Sequence, residues 1–498
     1  MPQPNILILM VDQLSGTLFP DGPAGFLHVP HLRRLAERST RFACCYCASP
    51  LCAPSRAAFM TGLLPSRTGT YDNAAEFAPD IPTFAHHLRR AGYQTSLCGK
   101  MHFVGPDQLH GFEERLTTDI YPADYGWTPD YTRPGERIDW WYHNLGSVSG
   151  AGVAEITNQL EYDDEVGFSA VAKLRDLSRR QDARPWCLTV SFTHPHDPYV
   201  ARRRFWDLYE DCPALDPEVG PLPEAELDPH SRRLRAASDA AAFPVTPDQV
   251  RRARRGYFAS LSYLDERIGE ILEALEEGGM ADETAILFLS DHGDLLGERG
   301  LWFKMSFLDG AARVPLLIAA PGLAPGRRDE PVSLLDLVPT LGAIAGIPPE
   351  EIAPWTEGRN LLAPREDPVP MEYAAEGTVA PMVALRDGRW KLVLCEADPP
   401  LLHDLEADPR ELTDLAPDPA YRDVLDRLTE LAGRRWDLAA FDAAVRASQA
   451  RRRLVYEALR QGRYQPWDHQ PCRDASGRFM RNHLDLNVLE ERQRWPRG

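Results

Sequence analysis

The sequence predicts an α/β sandwich built around a mostly parallel central sheet. Four short apolar runs, each bounded by turn residues, have the unbroken hydrophobicity typical of parallel strands that are buried on both faces. Segments of helical periodicity lie between these runs, and such an alternation of strands and helices is typical of this architecture. The predicted strands are residues 6–11, 187–192, 285–289 and 316–319, and the predicted helices include residues 29–38, 82–91, 166–180 and 257–276.

Three of the predicted strands are followed closely by acidic or imidazole side chains. Asp12 follows the first strand, His196 lies just beyond the second, and Asp291 and His292 follow the third. Functional side chains of parallel α/β sheets gather beyond the carboxyl ends of the strands. A single Asp at a strand end is commonly only a helix cap, but three strands together predict one functional site at this end of the sheet.

The sequence changes character at about residue 366. Residues 383–385 and 390–394 flank a turn that contains Gly388, which predicts a β-hairpin. A further apolar run at 402–405 and a helix near 421–433 complete a small antiparallel sheet with a helix. We therefore divide the chain into a large α/β domain of residues 1–365, a small α+β subdomain of residues 366–440, and a C-terminal helix with an extended arm at residues 441–498.

The C-terminal arm carries tryptophans that need a surface to cover them. Residues 464–498 contain Trp467 and Trp495 but show little periodicity. A neighbouring subunit would bury these rings if the arm serves in oligomerisation, and a groove of the same chain would bury them equally well. We expect a homo-oligomer held through this arm.

The net charge of -19 at pH 7 argues against polyanionic partners. Nucleic acids and anionic membrane surfaces are bound through basic patches, so we expect neither as a partner. A small anionic ligand would need a local positive site. Lysine is rare in this chain, and lysine and arginine are not interchangeable at a binding site, so each lysine is a candidate for a specific role. The lysines are Lys100, Lys173, Lys304 and Lys391.

The sequence shows no feature of export or membrane insertion. The N-terminal apolar run is too short for a signal peptide and has no basic residues before it, and no uncharged stretch approaches the ~18 residues of a membrane span. We therefore expect a cytoplasmic protein whose nine cysteines are reduced. Four cysteines are crowded together, and core thiols are favoured over a zinc site because no second Cys/His pair follows at zinc-finger spacing. These four are Cys44, Cys45, Cys47 and Cys52.

Two segments resemble the signature elements of the sulfatase family. Residues 52–62 have the sequence CAPSRAAFMTG, which fits the family pattern C-x-P-S-R-x-x-x-x-T-G, and residues 92–102, GYQTSLCGKMH, are similar to a second family element. They occur in the family's order and at a family-like separation. Pro54 suits the first turn of a helix. Cys52 is therefore expected at a helix N-terminus, where the dipole and free N–H groups favour an anion.

The resemblance implies an alkaline-phosphatase-like fold and a modified nucleophile. In sulfatases this cysteine is oxidised to formylglycine by a formylglycine-generating enzyme, which is therefore an expected partner in maturation. The hydrate of formylglycine is a geminal diol, which can attack sulfur and then expel sulfate by collapse of a hemiacetal, whereas a thiol would form a stable adduct. For Cys52 taken alone, a buried structural cysteine is the alternative.

The same resemblance implies one divalent metal ion, with Asp12, Cys52, Asp291 and His292 as its ligands. The sequence departs from many sulfatases at Gln13, where those have an aspartate, and at His292, where arylsulfatases commonly have an amide. The Asp–His pair resembles choline sulfatases and phosphonate monoester hydrolases instead. An imidazole in place of an oxygen ligand makes manganese a rival to calcium. Whether Gln13 binds the metal stays open.

The resemblance to sulfatases implies catalytic roles for five further residues. Arg56 and Lys100 would hold the diol and the sulfate oxygens through charge-assisted hydrogen bonds. His102 would be the base that collapses the hemiacetal. His196 and Lys304 would face the leaving oxygen and supply or stabilise its proton. For any one of these residues alone, a surface ion pair or a structural histidine would be the ordinary interpretation.

The segment 121–145 is rich in aromatic and acidic residues. An aromatic face beside a carboxylate can hold a quaternary ammonium at about 0.5–2 kcal/mol per cation–π contact, although an aromatic loop packed on the core is the plainer interpretation. The whole chain, including this segment and the Arg-rich C-terminal tail, is similar to the choline sulfatases. That similarity implies a substrate pocket formed by Asn73, Trp127, His143, Asn144 and Glu376, with Glu372 as a less favoured substitute and Asp485 as a candidate to close a neighbour's pocket.

These observations predict an enzyme that hydrolyses choline sulfate to choline and sulfate. A phosphonate monoester or phosphate diester hydrolase is one alternative, since it would share the metal site, but it has no need of the aromatic and acidic segment. A non-catalytic choline or sulfate-ester binding protein is an alternative of another class. It would require Cys52 to stay a thiol.

Overall fold

The computed structural model describes residues 3–133, 143–179, 182–363, 367–472, 483 and 485–494. Residues 139–142 of the aromatic segment, and Trp495, lie outside the described residues. A large central sheet organises most of the chain. Its eight strands are β1 (Asn5–Val11), β2 (Thr40–Phe42), β3 (Gln94–Gly99), β4 (Glu114–Arg115), β5 (Trp186–Ser191), β6 (Thr284–Ser290), β7 (Leu316–Ala319) and β8 (Gly326–Arg328).

The central sheet is mostly parallel, in the order β8-β2-β7-β6-β1-β5-β3-β4. Strand β7 is the exception, because it runs antiparallel to both β6 and β2. The other neighbouring pairs are parallel. The expectation of a parallel strand at 316–319 was therefore wrong. An apolar run shows that a strand is buried on both faces, but it does not encode the direction of that strand.

The three central strands carry polar residues to one end of the sheet. Met10 of β1 lies in register with Ser191 of β5 and with Leu289 of β6. Every residue of these strands is buried, which agrees with their apolar sequences. Because the strands are parallel and end level with one another, Asp12 and Asp291 leave the sheet side by side.

The helices pack in two groups. Helix α6 contacts α1 and α4, while α2, α3 and α7 contact one another. Helices α4 and α6 begin about ten residues before their predicted starts, because their first turns are polar and carry no apolar period. The helices of seven or more residues are α1 (Pro30–Glu37), α2 (Cys52–Thr61), α3 (Phe84–Arg90), α4 (Asn158–Ser178), α5 (Pro229–Ala237), α6 (Pro247–Glu277), α7 (Leu337–Ile344), α8 (Arg422–Arg435), α9 (Leu438–Leu459) and α10 (Leu486–Gln493).

Shorter elements connect these helices and strands. Short paired strands are Cys45–Tyr46, Gly152–Val153, Val200–Ala201, Arg313–Val314 and Val332–Ser333. Single helical turns are Pro65–Thr68, Gly146–Ser149, Arg203–Trp206, Asp309–Ala312 and Pro349–Ile352, and 3-10 turns include Gly16–Leu18, Asp207–Tyr209, Glu224–Glu226, Ala281–Glu283, Glu298–Gly300, Leu334–Asp336, Ala353–Trp355 and Pro419–Tyr421.

A second sheet is antiparallel, as the hairpin pattern predicted. Gly388 lies in the turn of the predicted hairpin with a φ of 54°, a conformation that favours glycine. Apolar residues of the sheet, such as Leu392 and Leu402, pack with Leu428 of α8 in a second apolar cluster, which also includes Ala58 of α2. The four strands, in spatial order, are β9 (Val369–Tyr373), β10 (Met382–Asp387), β11 (Trp390–Cys395) and β12 (Asp398–Asp404).

The described part of the C-terminal arm lies on its own chain. The Trp467 ring packs edge-on against Tyr125 at 5.1 Å between centroids. Asp468 accepts a hydrogen bond from the backbone N–H of Ala123 at 2.9 Å, and His469 Nε2 lies 3.1 Å from the backbone oxygen of Arg115. Of the two burial surfaces considered for the arm, Trp467 uses a groove of the same chain.

All nine cysteines are free thiols. Cys45 and Cys47 belong to the hydrophobic core and Cys44 packs partly buried against it, which fits the interpretation of the crowded cysteines as core thiols. Among the residues the structure describes, no helix has the length and apolar character needed to cross a membrane.

Candidate active site

Helix α2 places Cys52 at its first residue, inside the molecule. Pro54 lies in the first turn, where its missing N–H costs no helical hydrogen bond. All ten residues of the helix are buried. The helix ends at Gly62, whose φ is 68°, and a Cβ there would lie 1.9 Å from the Thr356 hydroxyl. Only glycine therefore fits this end of the helix without displacing its neighbour.

The strand ends of β1 and β6 surround Cys52. His292 Nε2 lies 3.3 Å from Cys52 Sγ, 3.8 Å from Asp12 Oδ1 and 3.6 Å from Asp291 Oδ2. One donor atom from each of these four residues lies within 4.8 Å of the others, and all four are buried. The structure thus brings together the four residues that the sequence singled out as metal ligands.

The donor set fits one divalent cation. Two carboxylates and one imidazole are ligands that both calcium and manganese accept. His292 Nδ1 lies 3.1 Å from the backbone oxygen of Gly293, an arrangement that fixes the ring and leaves Nε2 for the cluster. Gln13 Nε2 donates to Asp294 at 2.7 Å, whereas Gln13 Oε1 is buried without a hydrogen-bond partner among the described residues. Such an orphaned oxygen beside the cluster suits a metal ligand.

Arg56 is fully buried and directs its hydrogen bonds to the acidic residues of the cluster. Its guanidinium donates to Asp12 at 2.9 Å and to Asp291 at 2.8 Å. It also donates to the backbone oxygen of Lys100 at 2.6 Å and to Ser191 Oγ at 2.9 Å. These contacts hold the two carboxylates in place. The expected contact of Arg56 with the diol and the sulfate oxygens stays a prediction.

Two of the four lysines lie against Cys52. The Sγ atom is 3.0 Å from Lys304 Nζ and 3.7 Å from Lys100 Nζ, and both lysines are fully buried. Burial alone would raise the pKa of the Cys52 thiol. The two ammonium groups, helped by His292 and His102, outweigh this and hold that pKa well below its ordinary value. The surroundings of residue 52 therefore stabilise negative charge.

The segment after β5 adds a second group of polar side chains beside Lys304. His196 Nε2 lies 2.9 Å from Lys304 Nζ. Asp197 lies 3.3 Å from His196 Nδ1 and 3.4 Å from His143 Nδ1. Burial lowers the pKa of His143 to about 4, against the opposing effect of Asp197, so this imidazole is neutral near pH 7. The structure thus places His196 and Lys304 as one pair beside residue 52.

His102 faces this centre from the segment after β3. Its backbone has a φ of 54°, and its backbone N–H donates to Asp119 at 2.8 Å. Neither ring nitrogen has a hydrogen-bond partner among the described residues. The ring lies 5.0 Å from that of Tyr121 and 5.8 Å from that of Trp127. His102 therefore lies between the aromatic rings and residue 52, whose thiol pKa it helps to lower.

Glu376 carries a buried carboxyl group that no other residue in the described part of the chain binds. Neither of its oxygens has a hydrogen-bond partner in another described residue. Burial, with a further contribution from the charge of Asp72, raises the pKa of Glu376 to about 8. The charges of Lys304 and Cys52 also act on it. A carboxyl group of this kind is suited to an external cation.

Asn73 and Trp127 lie near the Cys52 cluster. Asn73 is buried and accepts a hydrogen bond from the backbone N–H of Ala53 at 3.0 Å, directly beside Cys52. The Trp127 ring packs edge-on against Tyr121 at 5.3 Å, and the Tyr121 hydroxyl lies 3.4 Å from His196 Nε2. The aromatic wall and the catalytic cluster therefore form one continuous site.

Three residues named for the substrate pocket or its closure also have local partners, and for Asn144 and Asp485 the expected roles stay predictions. The side-chain oxygen of Asn144 accepts from the backbone N–H of Gly146 at 2.9 Å within its own turn. Glu372 accepts from Trp436 Nε1 at 2.6 Å and also binds both the backbone N–H and the hydroxyl of Ser66, which excludes it as a free carboxylate. Asp485 caps α10.

Several residues of the site were not singled out by sequence reasoning. Asp197 could have been predicted as a site residue from the sequence, because it stands beside His196 at a strand end. Asp294, which accepts from Gln13 and from Tyr199, stands two residues after His292 and could have been predicted in the same way. No sequence pattern indicates a role in the site for Asp72 or Arg452, because only the fold brings them together.

Comparison with known proteins identifies relatives over the whole chain. The family model described as Sulfatase matches residues 4–347, and one described as Choline sulfatase enzyme C terminal matches residues 443–495. A protein named choline-sulfatase from Rhizobium meliloti (strain 1021) is 65% identical over 100% of this chain and 99% of its own length. Iduronate 2-sulfatase of Mus musculus is 31% identical over 72% of this chain and 73% of its own length.

Solved structures share the fold. Phosphonate monoester hydrolase SpPMH from Silicibacter pomeroyi superposes with a TM-score of 0.68 at 24% identity, over 87% of this chain and 95% of that one. BT4656, solved in complex with D-glucosamine-2-N,6-O-disulfate, superposes with a TM-score of 0.64 at 21% identity, over 87% and 98%. These likenesses establish the architecture of the chain.

Proposed function

Because this chain belongs to the sulfatase family, and within it to the choline-sulfatase branch, we propose that it hydrolyses choline sulfate to choline and sulfate. The observation that carries this proposal is the carboxyl group of Glu376, which is buried near the Cys52 cluster and has no hydrogen-bond partner in the other described residues. A cationic leaving group needs such a carboxylate beside an aromatic surface. A sulfate ester needs the positive cluster of Lys100 and Lys304.

In the proposed reaction, residue 52 acts in its formylglycine form, and the Sγ atom of the structure stands where the diol oxygens would lie. One diol hydroxyl group gives up its proton to solvent and its oxygen attacks sulfur. The bond from sulfur to the choline oxygen breaks, and His196 with Lys304 supplies the proton to that oxygen. His102 then takes the proton from the remaining hydroxyl group. Sulfate then departs, residue 52 becomes an aldehyde, and addition of water restores the diol.

The remaining charged residues hold the reactants. Lys100 and Lys304 neutralise the sulfate oxygens through charge-assisted hydrogen bonds. Asp12, Asp291, His292 and residue 52 would hold one calcium or manganese ion, with Gln13 Oε1 as a further ligand. When bound, this ion supplies Lewis acidity and a template for the sulfate group. Arg56 fixes the two carboxylates and thereby sets the geometry of the cluster.

Maturation and assembly complete the proposal. Conversion of Cys52 requires a formylglycine-generating enzyme as a partner. We place the protein in the cytoplasm and expect a homo-oligomer to which the C-terminal arm contributes. Size-exclusion chromatography with light scattering would test the assembly, and a monomer at micromolar concentration would contradict it.

Turnover of two esters distinguishes this function from its nearest alternative. We expect kcat/KM for choline sulfate to exceed that for an aryl phosphonate monoester by on the order of 10³-fold or more, because only choline uses the carboxylate and the aromatic wall. The protein should be produced together with a formylglycine-generating enzyme. Faster turnover of the phosphonate would assign the chain to phosphonate hydrolysis instead.

The affinity for choline should depend on pH through Glu376. With a pKa of about 8 in the empty site, this group is mostly protonated at pH 7 and must lose its proton to bind a cation. The inhibition constant of choline should therefore fall as pH rises, by up to about tenfold per pH unit below pH 8, and level off above it.

Glu376→Gln provides the control for this titration. The glutamine variant should bind choline ~10- to 100-fold more weakly above pH 8 and lose the pH dependence, because its amide cannot ionise. Inhibition should be measured against an aryl sulfate whose aryl group carries no charge, because its binding does not involve this carboxyl group. If the variant keeps the slope of the wild-type protein, another group is responsible for it.

A further inference from the structure

One arginine of helix α9, Arg452, contacts two loops of the active site. Arg452 is buried, with 6% of its surface exposed. Its guanidinium donates to both oxygens of Asp72, at 2.7 and 2.6 Å, and to the Thr128 hydroxyl at 3.0 Å. Its Nε donates to Ser448 Oγ at 3.1 Å, one turn earlier on the same helix. A planar guanidinium with all these partners has one allowed position.

Two of the three partners of Arg452, Asp72 and Thr128, belong to different segments of the site. Asp72 precedes Asn73, which accepts from the backbone beside Cys52. Thr128 follows Trp127, whose ring packs against His102. Arg452 is therefore a bridge between the loop that contacts the nucleophile position and the segment that carries the aromatic wall.

Arg452 also determines which carboxylate stays free. Asp72 and Glu376 are near enough for the charge of one to act on the other. The bidentate ion pair with Arg452 occupies both oxygens of Asp72, whereas the oxygens of Glu376 have no partner in other described residues. One acidic group is thereby neutralised by the protein, and the other is left for a cationic ligand.

We propose that Arg452 is a positioning residue for the cation-binding end of this site: by bridging Asp72 and Thr128, it sets the spacing of the two segments and reserves Glu376 for the quaternary ammonium. This inference rests on the proposed function, since it assumes a cationic leaving group. It assigns to the C-terminal helix a part in recognition of the substrate.

The docking of α9 does not depend on this arginine alone. Gln449 accepts a hydrogen bond from the backbone N–H of Tyr131 at 3.1 Å, and Arg453 forms an ion pair with Asp130. Arg446 lies over the Tyr131 ring at 5.3 Å. Because these contacts remain when Arg452 is replaced, the loss of positioning can be measured in a folded protein.

The test compares Arg452→Gln and Arg452→Lys with Arg451→Gln, a matched change at an exposed position of the same helix. Each protein, matured with a formylglycine-generating enzyme, is assayed on choline sulfate and on an aryl sulfate with an uncharged leaving group, and its melting temperature is recorded. For Arg452→Gln we expect KM for choline sulfate to rise ~10- to 100-fold while kcat changes less than about threefold and the aryl sulfate is little affected. Lysine should recover part of the loss, since it restores one charge beside Asp72.

The outcomes separate the two levels of the proposal. If the wild-type protein hydrolyses the aryl sulfate but not choline sulfate, the proposed function fails. If choline sulfate is a substrate and Arg452→Gln behaves like Arg451→Gln, or loses both esters equally, the positioning role is overturned. Should the glutamine variant not fold, the comparison of Arg452→Lys with Arg451→Gln decides by the same two criteria.

Discussion

Replacement of Cys52 by alanine is expected to lower kcat for every sulfate ester by on the order of 10⁴-fold or more, because it removes the nucleophile and leaves only binding and charge stabilisation. Cys47→Ala is the matched control. Cys47 is a buried core thiol that follows the short strand Cys45–Tyr46, a few residues before α2. Its replacement should leave kcat within about twofold per folded molecule. Initial rates under saturating substrate measure both effects.

Mass spectrometry of the wild-type peptide that contains Cys52 tests the chemical basis of this result. When the protein is produced with a formylglycine-generating enzyme, residue 52 of this peptide should carry an aldehyde in place of the thiol. The nearby thiol of Cys47 should stay unmodified. A fully active protein with an unmodified Cys52 would refute the diol mechanism. An unmodified and inactive protein that still binds choline would favour the non-catalytic binding protein.

Removal of one carboxylate from the strand ends should have the second large effect. Asp291 accepts from Arg56 through one oxygen and from the backbone N–H groups of Gln13 and His292 through the other. In Asp291→Asn the neutral amide weakens the cation site and leaves Arg56 with Asp12 as its only acidic partner in the cluster. We expect loss of bound metal and a fall in kcat of on the order of 10³-fold, since a Lewis acid contributes several kcal/mol.

Metal content by mass spectrometry and initial rates are the measurements for Asp291→Asn. Asp265→Asn serves as the control, because Asp265 is also a buried carboxyl group but caps α1 through the backbone N–H groups of His31 and Leu32, away from the cluster. It should keep its metal. An Asp291→Asn protein with full metal content and an unchanged rate would show that the ion is held elsewhere.

The sequence allowed the chemical centre to be predicted because its parts lie in short, recognisable segments. Buried apolar runs ending in Asp12 and Asp291, and the helix that begins at Cys52, are local patterns, and parallel strands must deliver their ends to one place. The direction of β7 could not be predicted, because hydrophobicity is the same in either orientation.

Other features could not be predicted because they depend on packing. Glu372 and Glu376 are four residues apart and equally acidic in sequence. Only the positions of Ser66 and Trp436 show that Glu372 is engaged and Glu376 is not. The pairing of Arg452 with Asp72 joins residues 380 positions apart, and no periodicity or motif reports such a contact. Arg56 was found by its motif, yet its hydrogen bonds to two carboxylates required coordinates.

The two ends of this site have different origins in the chain. The sulfur-handling end is supplied by the central sheet and α2, while the end that faces the leaving group is braced by a helix from beyond residue 437. On the proposed role of Arg452, substitutions in this helix should change how the leaving group is bound while the reaction at residue 52 stays the same.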